Sequence, residues 1–300
     1  MSEIRCLDSA HGENWTMYNG DCVDVVGQLP GCSVDLSIYS PPFSDLFIYS
    51  DSERDMGNCT DDSQFAEHYG HLLREMFRVI RPGRMTCVHV SDIPARKSRE
   101  GFIGLRDFSG DVIRAHQSAG FHYHSRITIW KDPVTEMQRT KAHGLLWKNI
   151  KDDSTRNRVG IPDYVLIFKR PPTTKAEEAL AEKVQHTPEE FPVDQWQKWA
   201  SPVWMDVDQG RTLNARIAKG EGDEKHMCPL QLDVIERLAV LYSNPGDVVL
   251  SPFGGIGSEG VGVLRFGRKF VGVELKPGYF GRALRNLRDS EDDSQTDLFG

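Results

Sequence analysis

The chain has 300 residues, 39% of them hydrophobic, and a formal net charge of −8, which fits a globular protein of one large domain or one domain with a sizeable insertion. No run approaches the roughly 20 apolar residues that a membrane-crossing helix needs, and the charged opening residues lack the apolar core of a secretion signal, so the expectation is a cytoplasmic protein. The cysteines at 6, 22, 32, 59, 87 and 228 form no Cys-x-x-Cys pair and no cluster with histidines at metal-ligand spacing, which predicts reduced thiols and no metal site.

Residues 15–18 read as a short strand and 34–39 (VDLSIY) as a clearer one, stopped by Pro41-Pro42 because proline cannot donate to a sheet ladder. A helix follows with Phe65, Tyr69, Leu72, Leu73, Met76, Phe77 and Ile80 on one stripe, opened by Asp61 or Asp62 and closed by Pro82-Gly83. Next come a strand over 85–90, a helix over 108–119 ended by Gly120, and strands over 121–130 and 164–168. From 170 to about 225 the period is lost among prolines and charges, which reads as an insertion or small lobe with Trp196, Trp199 and Trp204 as its core. Alternation resumes with a helix over 229–242, a strand over 248–250, a glycine-rich turn, a helix, a strand over 270–274 and a last helix from Pro277. Such alternation predicts an α/β fold whose mostly parallel sheet is covered by helices on both faces. Residues 289–300 begin with DSEDDSQTD and read as a frayed acidic tail.

The chemistry is concentrated in three places. Ser251-Pro-Phe253-Gly254-Gly255-Ile256-Gly257-Ser258 lies between a strand and a helix, where glycines let a ligand approach the backbone. Gly255, Gly257 and Gly260 also satisfy the G-x-G-x-x-G dinucleotide pattern. That reading fails on position, because a dinucleotide fold needs several β/α units after the turn and only forty residues follow Gly260. Glu274 ends the next strand, where a carboxylate accepts the hydroxyls of a ribose, so turn and acid together imply a nucleoside cofactor. The third place is Ser40-Pro41-Pro42-Phe43, which by itself is an ordinary strand-ending turn.

Phe253-Gly-Gly-Ile-Gly257 with Glu274 resembles the S-adenosylmethionine motif of DNA amino-methyltransferases, and Ser40-Pro-Pro-Phe43 resembles their (D/N/S)-P-P-(Y/F/W) catalytic motif. The order, catalytic loop first and cofactor turn last, is similar to the circularly permuted β group and to its phage and prophage members, over residues 20–290. The resemblance implies a Rossmann-like methyltransferase fold, S-adenosyl-L-methionine as cofactor, double-stranded DNA as substrate and a homodimer. It divides the chain into a catalytic domain at 12–130 and 226–290 and a target-recognition region at 131–225. Ser40 Oγ and the Pro41 carbonyl would accept the amino protons of the target base, Pro42 would stiffen the loop, and Phe43 would stack on the flipped-out base. Methyl transfer would be direct: no cysteine follows a proline, so the Pro-Cys nucleophile of C5-cytosine enzymes is absent.

Further cofactor contacts implied by the resemblance are Asp21 and Cys22 beside the adenine, and Leu275 next to Glu274. His226, Cys228 and Pro229 would hold the methionine end, Pro229 standing at the first position of a helix whose free N–H groups face a carboxylate. Between 126 and 170 there are ten basic residues against five acidic ones. Arg139, Lys141, Lys148, Lys151, Arg156 and Arg158 are therefore candidates for phosphate contacts, with Arg96 and Lys97 as a second group. Adenine N6 is favoured over cytosine N4, although serine as the first motif residue is typical of cytosine enzymes. Alternative readings are an RNA or protein amine methyltransferase, against which the motif order speaks, and a non-catalytic DNA-binding module.

Overall fold

Strand patterning shows how the sheet comes to be buried on both faces. In Asp163–Lys169, Leu166 and Phe168 point into one apolar cluster while Val165 and Ile167 point into another, the period of two of a strand covered twice. The computed structural model describes residues 4–42, 62–95, 97–140, 145–179, 181–213 and 229–296.

Among these the strands are β1 (Asp8–His11), β2 (Trp15–Asn19), β3 (Val34–Tyr39), β4 (Ile80–Ser91), β5 (Ile93–Ala95), β6 (Gly104–Arg106), β7 (His122–Ile129), β8 (Asp163–Lys169), β9 (Val203–Trp204), β10 (Val248–Ser251) and β11 (Lys269–Glu274). Nine of them form one sheet in the order β1-β2-β11-β10-β3-β4-β8-β7-β9, and β5 pairs with β6 separately. The run from β2 to β4 is parallel throughout. Antiparallel pairs occur at the edge with β1 and around β8.

On one face lie α1 (Cys22–Gln28), α2 (Asp62–Val79) and α4 (Phe108–Ser118); on the other lie α9 (Leu232–Tyr242), α10 (Ser258–Leu264) and α11 (Pro277–Thr296). The stripe of α2 predicted from the sequence is the one buried, at Phe65, Tyr69, Leu72, Leu73 and Met76. Asp107 starts α4 by accepting the Gly110 N–H. Short helices α3 (Lys97–Glu100), α5 (Pro133–Thr140), α6 (Asn149–Asp152), α7 (Lys175–Ala179) and α8 (Val193–Trp199) occupy the connections. No helix among the described residues is long and apolar enough to cross a membrane.

Four expectations are corrected. The helix expected to run through Ile80 to Pro82-Gly83 stops at Val79, because Ile80 already pairs with Val34 and opens β4. The stretch from 170 to about 225, expected as an insertion or small lobe, contributes to the sheet itself, since β9 pairs with β7 at its edge. Trp204 accordingly belongs to the sheet's own core, Trp199 packs on Phe191, and Trp196 is exposed. The acidic tail is not frayed up to residue 296. It continues α11, and Glu291 accepts hydrogen bonds from the backbone N–H of Glu13 (2.7 Å) and Asn14 (3.2 Å) and from the Trp15 indole (3.1 Å).

Candidate active site

Strand register brings the two predicted motifs together. β10 and β3 run side by side with Leu250 opposite Ser37, whose hydroxyl donates to the Leu250 carbonyl at 2.8 Å. Three residues further along each chain segment stand Phe253 and Ser40, and the rings of Phe253 and Tyr39 are 5.8 Å apart. From β3 the chain goes on to β4 on one side, and from β10 to β11 on the other. The gap between them is a topological switch point, the place where open α/β sheets bind ligands at the carboxyl ends of their strands.

The turn after β10 owes its shape to glycine. Gly255 has φ +51° and Gly257, the residue before α10, has φ +85°, both in the left-handed region. A side chain at Gly254 would strike Met17, whereas a Cβ on Gly255 meets nothing within 4 Å among the described residues, so among these residues the loop is packed from behind only. Glu274 at the end of β11 accepts the Gly255 N–H through Oε2 and the Lys276 N–H through Oε1, both at 2.8 Å. Each carboxylate oxygen has a second lone pair, so the pinned carboxylate retains acceptor capacity for a diol. Asn19 holds the backbone behind it, donating to the carbonyls of Glu274 (2.8 Å) and Leu275 (3.0 Å).

Glu259, in the first turn of α10, is buried, and loss of hydration, aided by the charge of Glu274, raises its carboxyl to about 8. At neutral pH it is mainly protonated, which leaves Glu274 as the anion at the turn. Ser251 is fully buried and its hydroxyl has no partner among the described residues. An orphaned polar atom and an open glycine cradle beside a fixed carboxylate suit a nucleoside-bearing cofactor.

The remaining predicted residues divide as follows. Ile256 is buried against Tyr279, and its carbonyl accepts from Asn286 at 2.8 Å. Ser258 is buried at the start of α10. Asp21 caps α1, accepting from Val23 (2.9 Å) and Asp24 (3.0 Å), while Cys22 is buried and its thiol is pushed well up by lost hydration. Pro41 and Pro42 are buried just past β3. Pro229 is not at the first helical position as expected: the residue before α9 is Gln231, so the proline stands in the approach to the helix. Phe43, Arg96, Lys141, His226 and Cys228 lie outside the described residues, as does the Arg139 side chain.

Of the basic candidates, Lys97, Arg156 and Arg158 line one cleft with Phe102 and Ile103, so two sequence-distant groups converge. Arg158, expected to face phosphates, is turned inward instead, donating to Glu136 Oε1 at 3.2 Å and to the Val159 carbonyl at 2.8 Å. Lys148, Lys151 and Arg156 are exposed.

Sequence reasoning missed three residues. Ser40 Oγ lies 3.0 Å from the His89 carbonyl oxygen and 3.3 Å from His89 Nδ1. On its other side His89 Nε2 is 3.3 Å from Asp163 Oδ2, and Lys131 Nζ holds the other carboxylate oxygen. Burial alone would raise the Asp163 carboxyl, but His89 and Lys131 outweigh it and hold it well below the usual range. The only signal in the sequence was a histidine in the segment VHVS, at the carboxyl end of the strand next to β3.

A family model for DNA methylases of the N6/N4 type matches residues 34–285. The DNA adenine methyltransferase YhdJ of Escherichia coli K12 is 24% identical over 277 residues, covering 91% of this chain and 82% of that protein. Type II methyltransferase M.BamHI of Bacillus amyloliquefaciens is also 24% identical, over 86% of this chain but 54% of its own length. Among solved structures, TTHA0409 of Thermus thermophilus in complex with S-adenosyl-L-methionine has a TM-score of 0.66 at 23% identity, covering 91% of this chain and 93% of that one. The cytosine-N4-specific PvuII DNA methyltransferase has a TM-score of 0.61 at 17% identity, over 93% and 91%. These two likenesses establish the shared Rossmann-like fold. Since the family match spans most of the sequence, the chain belongs to the N6/N4 DNA methylase family.

Proposed function

We propose that the protein transfers a methyl group from S-adenosyl-L-methionine to the exocyclic amino group of a base flipped out of double-stranded DNA, with adenine N6 as the target. The observation that carries this reading is the placement of Ser40-Pro41-Pro42 beside Phe253 of the glycine turn, with Glu274 two residues beyond the Ser251–Gly272 pair.

The cofactor's nucleoside fits the cradle formed by Gly254, Gly255 and Gly257, with its ribose on Glu274; when bound it supplies the electrophilic methyl group. The protein's own part is to position and to accept protons. A base amino group is a weak nucleophile because its lone pair is delocalised into the ring, so acceptors on its protons favour a tetrahedral nitrogen. Ser40 Oγ and the Pro41 carbonyl are the acceptors in this reading, and Phe43 is the stacking platform. Lys97, Lys148, Lys151 and Arg156 supply phosphate contacts, and the connections within 131–225 read the target sequence. The catalytic motif precedes the cofactor turn, as in the permuted β group.

Adenine is supported by the likeness to YhdJ, itself a DNA adenine methyltransferase. Cytosine N4 is the second reading, favoured by the serine in the motif and the shared fold of PvuII methyltransferase. Mass spectrometry of nucleosides from DNA incubated with enzyme and cofactor tests both. N6-methyladenine is expected, and N4-methylcytosine alone would overturn the choice of base.

A further inference from the structure

Methylation of an amine leaves one proton to be disposed of. The base nitrogen attacks the methyl carbon, the N–C bond forms as the C–S bond breaks, and that electron pair stays on sulfur. The nitrogen is then cationic until it loses a proton. Serine alone is a poor sink, since a protonated hydroxyl is a strong acid at neutral pH.

Behind Ser40 the structure places a group suited to the task. Adjacent strands set it there: Tyr39 of β3 is opposite Val88 of β4, so the next residues, Ser40 and His89, meet at the carboxyl edge. A serine hydroxyl carries one proton, and here two acceptors compete for it, the His89 carbonyl at 3.0 Å and the ring nitrogen Nδ1 at 3.3 Å. The far side of the ring faces the Asp163 carboxylate at 3.3 Å. An ionised carboxylate there favours the tautomer with the proton on Nε2, leaving Nδ1 as an acceptor toward Ser40. Among the described residues the charged groups facing the ring are Asp163, at the start of β8, and Lys131, just beyond β7, which pairs with the other carboxylate oxygen. Lys131 thus keeps a buried aspartate ionised without taking the oxygen that faces the histidine. The side chain is 12% exposed, and Nε2 is buried with no hydrogen-bond partner among the described residues, so the carboxylate at 3.3 Å is the charge it meets.

We propose that His89, oriented by Asp163, is the proton acceptor behind Ser40: the methylated nitrogen passes its proton to Ser40 Oγ as the serine's own proton moves to His89 Nδ1. The resulting imidazolium is held against Asp163 and returns its proton to solvent. His89 acts through Ser40 and is a positioning residue in that sense. The inference rests on the methyltransferase reading above and deepens it.

The test combines kinetics with a measurement that needs no turnover. In the wild type, kcat should fall on the acid side as His89 becomes protonated before it can accept. His89→Gln keeps a polar side chain but cannot titrate, so it should lower kcat by about 100-fold, abolish the acid limb, and leave cofactor affinity and Tm near wild type. Asp163→Asn should move the limb to lower pH, because the imidazolium loses its counter-charge. Imidazole added to His89→Ala should restore part of the rate. Independently, ¹⁵N NMR of the histidine rings in the cofactor-free protein should show His89 protonated on Nε2 and titrating lower in Asp163→Asn. A His89→Gln enzyme with an unchanged rate and acid limb, or a ring protonated on Nδ1 alone, would overturn the relay. Wild-type protein that methylates no nucleic acid would overturn the function instead, and the NMR result separates the two failures.

Discussion

The two ends of the parallel strands are built on opposite principles. At the amino ends, charges answer one another. Arg84, 2% exposed, sits 3.1 Å from Asp247, 3.6 Å from Asp35 and 3.5 Å from Glu182, and Arg81 approaches Asp35 at 3.1 Å. Asp35 in turn accepts the Val248 N–H at 2.9 Å, tying the start of β3 to the start of β10. The three carboxylates lie near enough to one another to hold a cation, but arginine already supplies the positive charge. At the carboxyl ends Ser251 Oγ lacks a partner and a Cβ on Gly255 meets nothing within 4 Å among the described residues, and Ser40 has two acceptors for one proton. Asp35 Oδ1 and Arg84 Nε and Nη1 are themselves buried without a hydrogen-bond partner among the described residues, so the amino-end cluster is held by ion pairing between full charges, whereas at the carboxyl end the unpartnered Ser251 group is a neutral hydroxyl beside a glycine loop.

That contrast is breakable by substitution. The largest effect is expected from Arg84→Met, which leaves Asp247 without its arginine and Asp35 with Arg81 alone and should cost about 3–5 kcal/mol in urea denaturation, with the rate per folded molecule intact. Ser40→Ala should do the reverse, lowering kcat by about 10²–10³-fold in a labelled methyl-transfer assay while calorimetry finds cofactor affinity and stability unchanged. Glu274→Ala should weaken cofactor binding by about 10–100-fold, as expected for a lost charged acceptor worth about 1.5–3 kcal/mol, and saturating cofactor should recover much of the rate. A pH effect accompanies the same turn. Glu259 is raised in the folded state from 4.5 to about 8, so the folded protein binds the extra proton and stability should fall as pH rises across that interval. Glu259→Gln should flatten the decline of Tm with pH. The smallest effect is expected from Lys97→Ala and Arg156→Ala: each should reduce the slope of log K against log salt for DNA binding by about 1, leaving the preference among sequences unchanged.

How much of this was readable beforehand follows from what sets each feature. The glycine turn, Glu274 and the Ser-Pro-Pro loop declare themselves because their constraints are local: a left-handed backbone, a strand end, a residue without an N–H. The stripe on α2 was equally legible, since burial of one helix face writes its own period. His89, Asp163 and Lys131 were not, because only the pairing of β4 with β3 and β8, and of β8 with β7, brings them to Ser40, and a lone histidine in a strand has no local mark. Arg84 was hidden for the same reason, its three partners coming from three separate segments. The edge strand β1, DSAH, has no apolar alternation to announce it. The acidic helix end carries the composition of a solvated tail, whereas Glu291 binds Glu13, Asn14 and Trp15 across 276 or more residues of sequence.

That last contact bears on how the chain is made. β2 is synthesised early, but its parallel neighbour β11 comes far later, and the Glu291 that caps its entry follows Trp15 by 276 residues. Until then one edge of β2 lacks its partner, and the nascent protein carries an open strand while everything between is being made. β11 is the last strand of the sheet to be made, it pairs with both β10 and β2, and on the β2 side Asn19 positions Glu274. The carboxylate that faces the cofactor turn is therefore among the last parts of the sheet to be made, and a chain stalled before β11 would lack it.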